Sequence, residues 1–207
     1  EDGHSHILSS TIPNCISYDP SYAYEVAVII QDGLRRMFKE QEDVFYYITL
    51  LNENYVQPAM PKGVEEGILK GMYRLSEGKG KKGAPRVQLL GSGAILREVI
   101  AAQDLLEKDF GVAGDVWSCP SFNELRREGQ DAQRWNLLHP EAKPRETYVG
   151  RCLNAAPGPV VAATDYMKLF ADQIRPFLSK PYVGLGPAGC GPSAYRRQLR
   201  RFFTVDL

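Results

Sequence analysis

The sequence predicts an α/β fold in two units, the second built on a largely parallel sheet. Three observations carry this. Strand-like and helix-like segments alternate along almost the whole chain. A Gly- and Lys-rich stretch, "SEGKGKKGAP" at 76–85, interrupts them once. Over 207 residues, 43% hydrophobic and 24% charged side chains suffice to bury a real core.

Taken in order, "IPNCISYD" at 12–19 reads as a short strand leaving a loop. Pro20 then opens a helix through "SYAYEVAVIIQDGLRRMFKEQ", where Tyr22, Val26, Ile29 or Ile30, Met37 and Phe38 recur at roughly helical spacing. "VFYYITL" at 44–50 is β-branched and aromatic with almost no charge, which suits a strand buried on both faces. "VEEGILKGMYRL" at 64–75 returns to helical period. The stretch that follows has no apolar anchor and reads as a linker that does not order itself. The division is therefore 1–77, a linker at 78–85, and 86–207.

In the second unit "RVQLLGSGAI" is a strand ending in glycines, and "LREVIAAQDLLEKDFG" is a helix closed by Gly111. "DVWSCPSF" is a strand and "FNELRREGQDAQRWNLL" a helix. "PVVAATD", "YMKLFADQIRPFL", "YVGLG" and "AYRRQLRRFF" continue the alternation.

Composition excludes several classes. Lys plus Arg and Asp plus Glu number 25 each, so no global charge calls for nucleic acid or an anionic membrane surface. "VAVII" at 26–30 is far too short to span a bilayer. The first residues do not read as a signal peptide. Cys15, Cys119, Cys152 and Cys190 form no Cys-x-x-Cys pair, which favours free thiols in a reducing cytoplasm.

The chemistry-bearing motifs begin at once, with "EDGHSHI" at 1–7. In an extended segment His4 and His6 place their rings on one side, where imidazoles can move protons, and Asp2 can orient one of them. A metal site needs further ligands, and the remaining histidine is His139 in "LLHP". A solvated polar segment is the third reading. In "VGLGPAGCG", Gly184, Gly186 and Gly189 match a dinucleotide fingerprint, with Asp206 as the following acid. Pro192 and the short distance to the next strand-like segment oppose it. Gly91 and Gly93 in "LLGSGAIL" read as a tight strand-to-helix turn. Arg196, Arg197, Arg200 and Arg201 read as one solvated basic side of a helix, opposite Leu199, Phe202 and Phe203. Cys15, Trp135 and His139 read as packing residues.

Longer phrases carry a family resemblance. "EDGHSH", "TIPNCISYDPSYAYEVAVI", "YYITLLNENYVQPAMP", "VQLLGSGAILREV", "FNELRREGQDAQRWNLLHP" and "ATDYMKLFADQIRPF" together resemble the homodimeric bacterial pyruvate dehydrogenase E1 components, thiamin-diphosphate enzymes of the transketolase superfamily. The resemblance runs from residue 1 to about residue 182. It implies an α/β chain made of the later part of a pyrimidine-binding domain followed by a transketolase C-terminal-like domain cut short at its end. It implies that His6 is the catalytic histidine that reaches the substrate, with His4 and Asp2 beside it on the substrate side. The parent reaction is decarboxylation of pyruvate on thiamin diphosphate with Mg, then acetyl transfer to a lipoyl group. The parent's partners are a second subunit of its homodimer and the lipoyl-bearing acetyltransferase component. The family's metal-and-diphosphate motif and its cofactor-activating glutamate have no counterpart in these 207 residues. No cofactor-binding or metal residue is therefore assigned, and the chain alone is expected to bind neither cofactor and to be inactive. "GPAGCGPSA" departs from the family's polar loop at Pro187, Ala188, Pro192 and Ala194. The competing readings are a non-catalytic α/β dimerisation or interaction module and a dinucleotide-binding protein.

Overall fold

Two sheets organise the chain in the computed structural model, which describes residues 2–52, 54–81, 83–189 and 194–203. The first sheet has two parallel strands, β1 (Cys15–Tyr18) and β2 (Phe45–Ile48), in register Cys15 to Phe45 through Tyr18 to Ile48. Helix α1 (Ser5–Ser9) precedes them, and α2 (Ala23–Gly33) connects them. Helix α2 starts three residues later than Pro20 suggests, because Tyr22 is still extended as its cap. It then widens into a π-helical turn over Leu34–Lys39. Ile29 of α2 packs with Ile16, Tyr18, Ile68 and Tyr73 under this sheet.

Strand β2 is not buried on both faces. Its residues are exposed or half-buried, since among the described residues its one sheet partner is β1. An apolar groove of about 420 Å³ opens beside it, lined by Ile30, Leu34, Met37, Phe38, Tyr46 and Ile48.

The second sheet has five strands. They are β3 (Tyr73–Ser76), β4 (Arg86–Gly91), β5 (Ala113–Ser118), β6 (Val160–Ala163) and β7 (Tyr182–Leu185), in the order β3-β5-β4-β6-β7. The last four are mutually parallel, as expected, and β3 is antiparallel on the edge. Helices α4 (Leu96–Phe110), α5 (Phe122–Leu138), α6 (Tyr148–Leu153), α7 (Lys168–Asp172) and α8 (Arg196–Phe202) belong to this unit. The sheet is buried on both faces: Leu90 packs with Phe122, Leu125 and Phe170, and Leu89 with Val99 and Ile95. That is why β4 carries apolar side chains at both Leu89 and Leu90, on opposite faces of the sheet.

Strand β3 corrects the helical reading of 64–75. The helix there, α3 (Glu65–Lys70), ends at Gly71, and the residues after it pair with β5. The second sheet thus takes its edge strand from before the Gly/Lys-rich stretch. That stretch is also anchored, by backbone rather than apolar contacts. The Gly78 N–H donates to Asp115 Oδ1 at 3.0 Å, and the Lys79 N–H to Glu107 Oε1 at 2.8 Å. Carboxylates from the sheet and α4 do what missing hydrophobic side chains cannot.

Candidate functional site

From Ser5 onward the opening motif folds as a helix, with His4 as its cap, and not as an extended segment. Asp2 Oδ1 accepts the backbone N–H groups of His4 at 3.2 Å and Ser5 at 3.0 Å, so the acid satisfies the free donors at the start of α1. Burial works against this charge, but the bonds from Ser5 and His4 hold the Asp2 carboxyl below its ordinary range. Residues two apart on a helix face nearly opposite ways. His4 is exposed and His6 wholly buried, so the two rings do not share a side. The sequence expectation of a paired imidazole face with Asp2 orienting one ring is corrected accordingly.

His6 sits where the two units meet. The Met167 N–H donates to the Gly3 carbonyl at 2.7 Å, and Asn123 Nδ2 to the His6 carbonyl at 2.8 Å. Asn123 Nδ2 also reaches Ser17 Oγ, and Gln173 Nε2 donates to Asn123 Oδ1 at 2.7 Å. The second unit therefore grips the backbone on both sides of the histidine. Around the ring, Phe170 stacks at 4.7 Å, and Tyr166 at 4.7 Å and Tyr47 at 5.4 Å approach edge-on. Burial lowers the His6 pKa to about 4, against a smaller upward pull from Asp2.

Among the described residues the ring has one hydrogen-bond partner. His6 Nε2 lies 2.8 Å from Thr49 Oγ1, and the Thr49 hydroxyl donates to Asp19 Oδ1 at 2.9 Å. His6 Nδ1 and Asp19 Oδ2 are buried without a partner. Asp19 is held by its own backbone: its N–H donates to the Pro120 carbonyl at 2.7 Å, and its carbonyl accepts the Gly93 N–H at 3.0 Å. Burial pushes its carboxyl up to about 7, with the Thr49 bond opposing and nearby Asp165 adding. Gly93 has φ +60, and a Cβ on it would lie 2.6 Å from Asp19 Oδ2, so the turn after β4 serves the close approach of this carboxylate.

A second buried carboxylate lies nearby. Glu25 Oε2 accepts the Ser21 and Tyr22 N–H groups, and Oε1 accepts Tyr73 Oη at 2.7 Å and Ser118 Oγ at 2.6 Å. Burial raises its pKa in spite of the four donors. Asp19, Glu25, Thr49, Asn123, Tyr166 and Phe170 are not singled out by spacing, because the contacts that bring them together join residues far apart in sequence, such as Thr49 with Asp19, Glu25 with Tyr73, Asn123 with His6 and Phe170 with His6. Their only signal is that they stand inside the phrases that carry the family resemblance.

The other motifs do not join this site. Gly184 lies within β7 beside Asp172, and Gly186 packs on the backbone of Tyr166 and Lys168, so these glycines serve close packing. β7 is an outer strand, and among the described residues no strand follows it, so the dinucleotide geometry does not form. Cys190, Pro192 and Asp206 lie outside the described residues. The basic side of α8 is corrected at one position: Arg200 is buried and pairs with Glu98 at 2.7 Å and Asp165 at 3.2 Å. Cys15 is buried, whereas His139 is exposed and stacks on Trp135 at 4.4 Å. Among the described residues no three His, Cys, Asp or Glu side chains group to hold a metal ion, and no helix is long and apolar enough to cross a membrane.

Comparison with known proteins agrees with this layout. Residues 1–58 match the family described as the pyruvate dehydrogenase E1 component middle domain, and residues 71–206 the transketolase-like C-terminal domain. Over its whole length the chain is 64% identical to a pyruvate dehydrogenase E1 component of Pseudomonas aeruginosa and 61% identical to that of Cupriavidus necator. It spans 23% of the length of each of these relatives. Among solved structures, a Campylobacter jejuni transketolase superposes on the whole chain with a TM-score of 0.66 at 16% identity, over 27% of the transketolase's length. That last likeness is one of fold.

Proposed function

This chain belongs to the transketolase-like C-terminal-domain family and carries a pyruvate dehydrogenase E1 middle-domain segment ahead of that domain, and from that premise we propose that it is the substrate-side portion of a pyruvate dehydrogenase E1 subunit. The observation that carries the proposal is identity above 60% along the entire chain, the "EDGHSH" loop included, to E1 components from different bacteria. The reaction is decarboxylation of pyruvate and transfer of the acetyl group to a lipoyl group. Thiamin diphosphate with Mg would supply the carbanion chemistry when bound.

The residues of this chain do not by themselves fit that cofactor. Among those described, no three His, Cys, Asp or Glu side chains group to hold the cation that a diphosphate requires. What the chain contributes is His6, with His4 and Asp2 on the same loop. The partnerless Nδ1 edge of His6 is the edge left to face the substrate, as a base or as the acceptor of a substrate hydroxyl's proton. The open groove beside β2 supports the expectation that further protein, from the same subunit or its partner in a homodimer, covers this face.

A chimera tests the proposal. Replacing the matching 23% of the Pseudomonas relative with this chain should preserve pyruvate decarboxylation with an artificial electron acceptor. Titration of the isolated chain with thiamin diphosphate and magnesium should show no saturable heat. A folded chimera that binds cofactor yet releases no carbon dioxide would overturn the assignment in favour of a non-catalytic interaction module.

A further inference from the structure

The geometry points to Asp19 and Thr49 as positioning residues that select which nitrogen of His6 carries the proton. Thr49 has one hydroxyl hydrogen, and it is directed to Asp19 Oδ1 at 2.9 Å. The alternative acceptor, the Tyr18 carbonyl, lies at 3.5 Å, too far to compete. With its proton committed, Thr49 can meet His6 Nε2 at 2.8 Å only as an acceptor. The proton of the neutral imidazole therefore sits on Nε2, and Nδ1 is left as a bare, basic nitrogen. This is the orienting logic of a carboxylate acting on a histidine, with a hydroxyl interposed.

Among the described residues the setting of Asp19 serves no ion pair and no metal site. The carboxylate is fully buried, and among the described residues no cation forms an ion pair with it and its Oδ2 has no hydrogen-bond partner in reach. Gly93 removes the side chain that would crowd it, and backbone bonds from Pro120 and Gly93 lock its Cα in place. Such a carboxylate is costly to bury, and its 2.9 Å bond from the Thr49 hydroxyl leads on to His6. The charged groups facing the cluster are Asp2 toward His6, and Asp165 and Glu25 toward Asp19. All are acids, so none supplies a competing donor to Nε2.

The inference rests on the proposed function only for its purpose; the tautomer itself is read on the 207-residue chain. Imidazole ¹⁵N spectra, with His4 and His6 assigned by single substitution, should show His6 with a pyrrole-like Nε2 and a pyridine-like Nδ1 at pH 7.5. One neutral hydrogen bond supports a roughly tenfold preference of this kind. Thr49→Val should collapse it toward an even mixture, and Thr49→Ser should restore it. Asp19→Leu frees Thr49 to donate to Nε2 and should move the proton to Nδ1. If that variant does not fold, the two Thr49 variants decide alone. A wild-type His6 protonated on Nδ1, or a Thr49→Val spectrum unchanged from wild type, overturns the inference. In the E1 chimera, Thr49→Val should lower kcat about tenfold with KM for pyruvate held within about twofold. Failure of that arm alone, with the spectra as expected, counts against the proposed function and leaves the tautomer assignment standing.

Discussion

Ser118 Oγ donates to Glu25 Oε1 at 2.6 Å, joining the end of β5 in the second sheet to helix α2 over the first. Glu25 has no exposed surface, and Tyr73 Oη meets the same oxygen from β3. The contact is a polar staple between the units. Ser118→Ala should cost about 1–3 kcal/mol, the range for leaving a buried polar group short of a partner. Urea unfolding measures this, and a loss below about 0.5 kcal/mol would show that the staple does not hold the units together.

His6 and Asp19 respond to pH in opposite senses. The folded-state pKa of His6 is lowered from 6.5 to about 4. Its contribution is full above pH 6.5 and is lost as pH falls toward 4, because the unfolded chain binds the proton first. Asp19 is raised from 3.8 to about 7, so its contribution is most favourable below pH 3.8 and is lost as pH rises to 7. Between pH 4 and 6.5 the two slopes oppose. Relative to wild type, Asp19→Asn should gain roughly 3 kcal/mol across that window as pH rises, and His6→Asn should lose about as much. Denaturant midpoints at several pH values give both difference curves. Parallel curves for wild type and variants would count against the opposition.

Gly93 and Gly111 form a matched pair. Their φ angles are +60 and +65, but a Cβ at Gly111 meets nothing within 4 Å, whereas one at Gly93 strikes Asp19. Gly111→Ala should cost only the left-handed strain, about 1 kcal/mol. Gly93→Ala should cost at least about 2 kcal/mol more, by displacing a buried carboxylate from its hydrogen bond. Equal losses would mean that Asp19 moves aside freely.

In the E1 chimera, His6→Ala should lower kcat by about 10²–10³, within the range for removing one positioned acid–base group. His4, exposed on the other side of α1, should affect KM more than kcat. Near-normal kcat in a folded, cofactor-saturated His6→Ala enzyme would return His6 to a packing role.

Periodicity made most of this architecture legible. The segments "RVQLLGSGAI", "DVWSCPSF" and "PVVAATD" read as strands, and β4 (Arg86–Gly91), β5 (Ala113–Ser118) and β6 (Val160–Ala163), which overlap them, form the parallel centre of the second sheet. Elements decided by remote partners were not legible. "GMYRL" keeps helical spacing, and only pairing with β5 makes it a strand. Arg200 looks solvated until Glu98, 102 positions away, is brought beside it. Asp2 carries two signals, a helix cap and a reactive carboxylate, and spacing does not choose between them. The His6 motif was visible; the Thr49–Asp19 chain behind it was not, since neither residue has a charged or metal-ligating neighbour in sequence.

Strand β3 precedes the Gly/Lys-rich stretch and pairs in the sheet that follows it. A protease that cuts at Lys81 would therefore not separate two bodies. It would leave two polypeptides sharing one sheet, the shorter lending its last strand to the longer. Nicking there would be silent by size under native conditions and visible only after denaturation. The same geometry means that the two halves, made apart and mixed, should find each other by strand complementation.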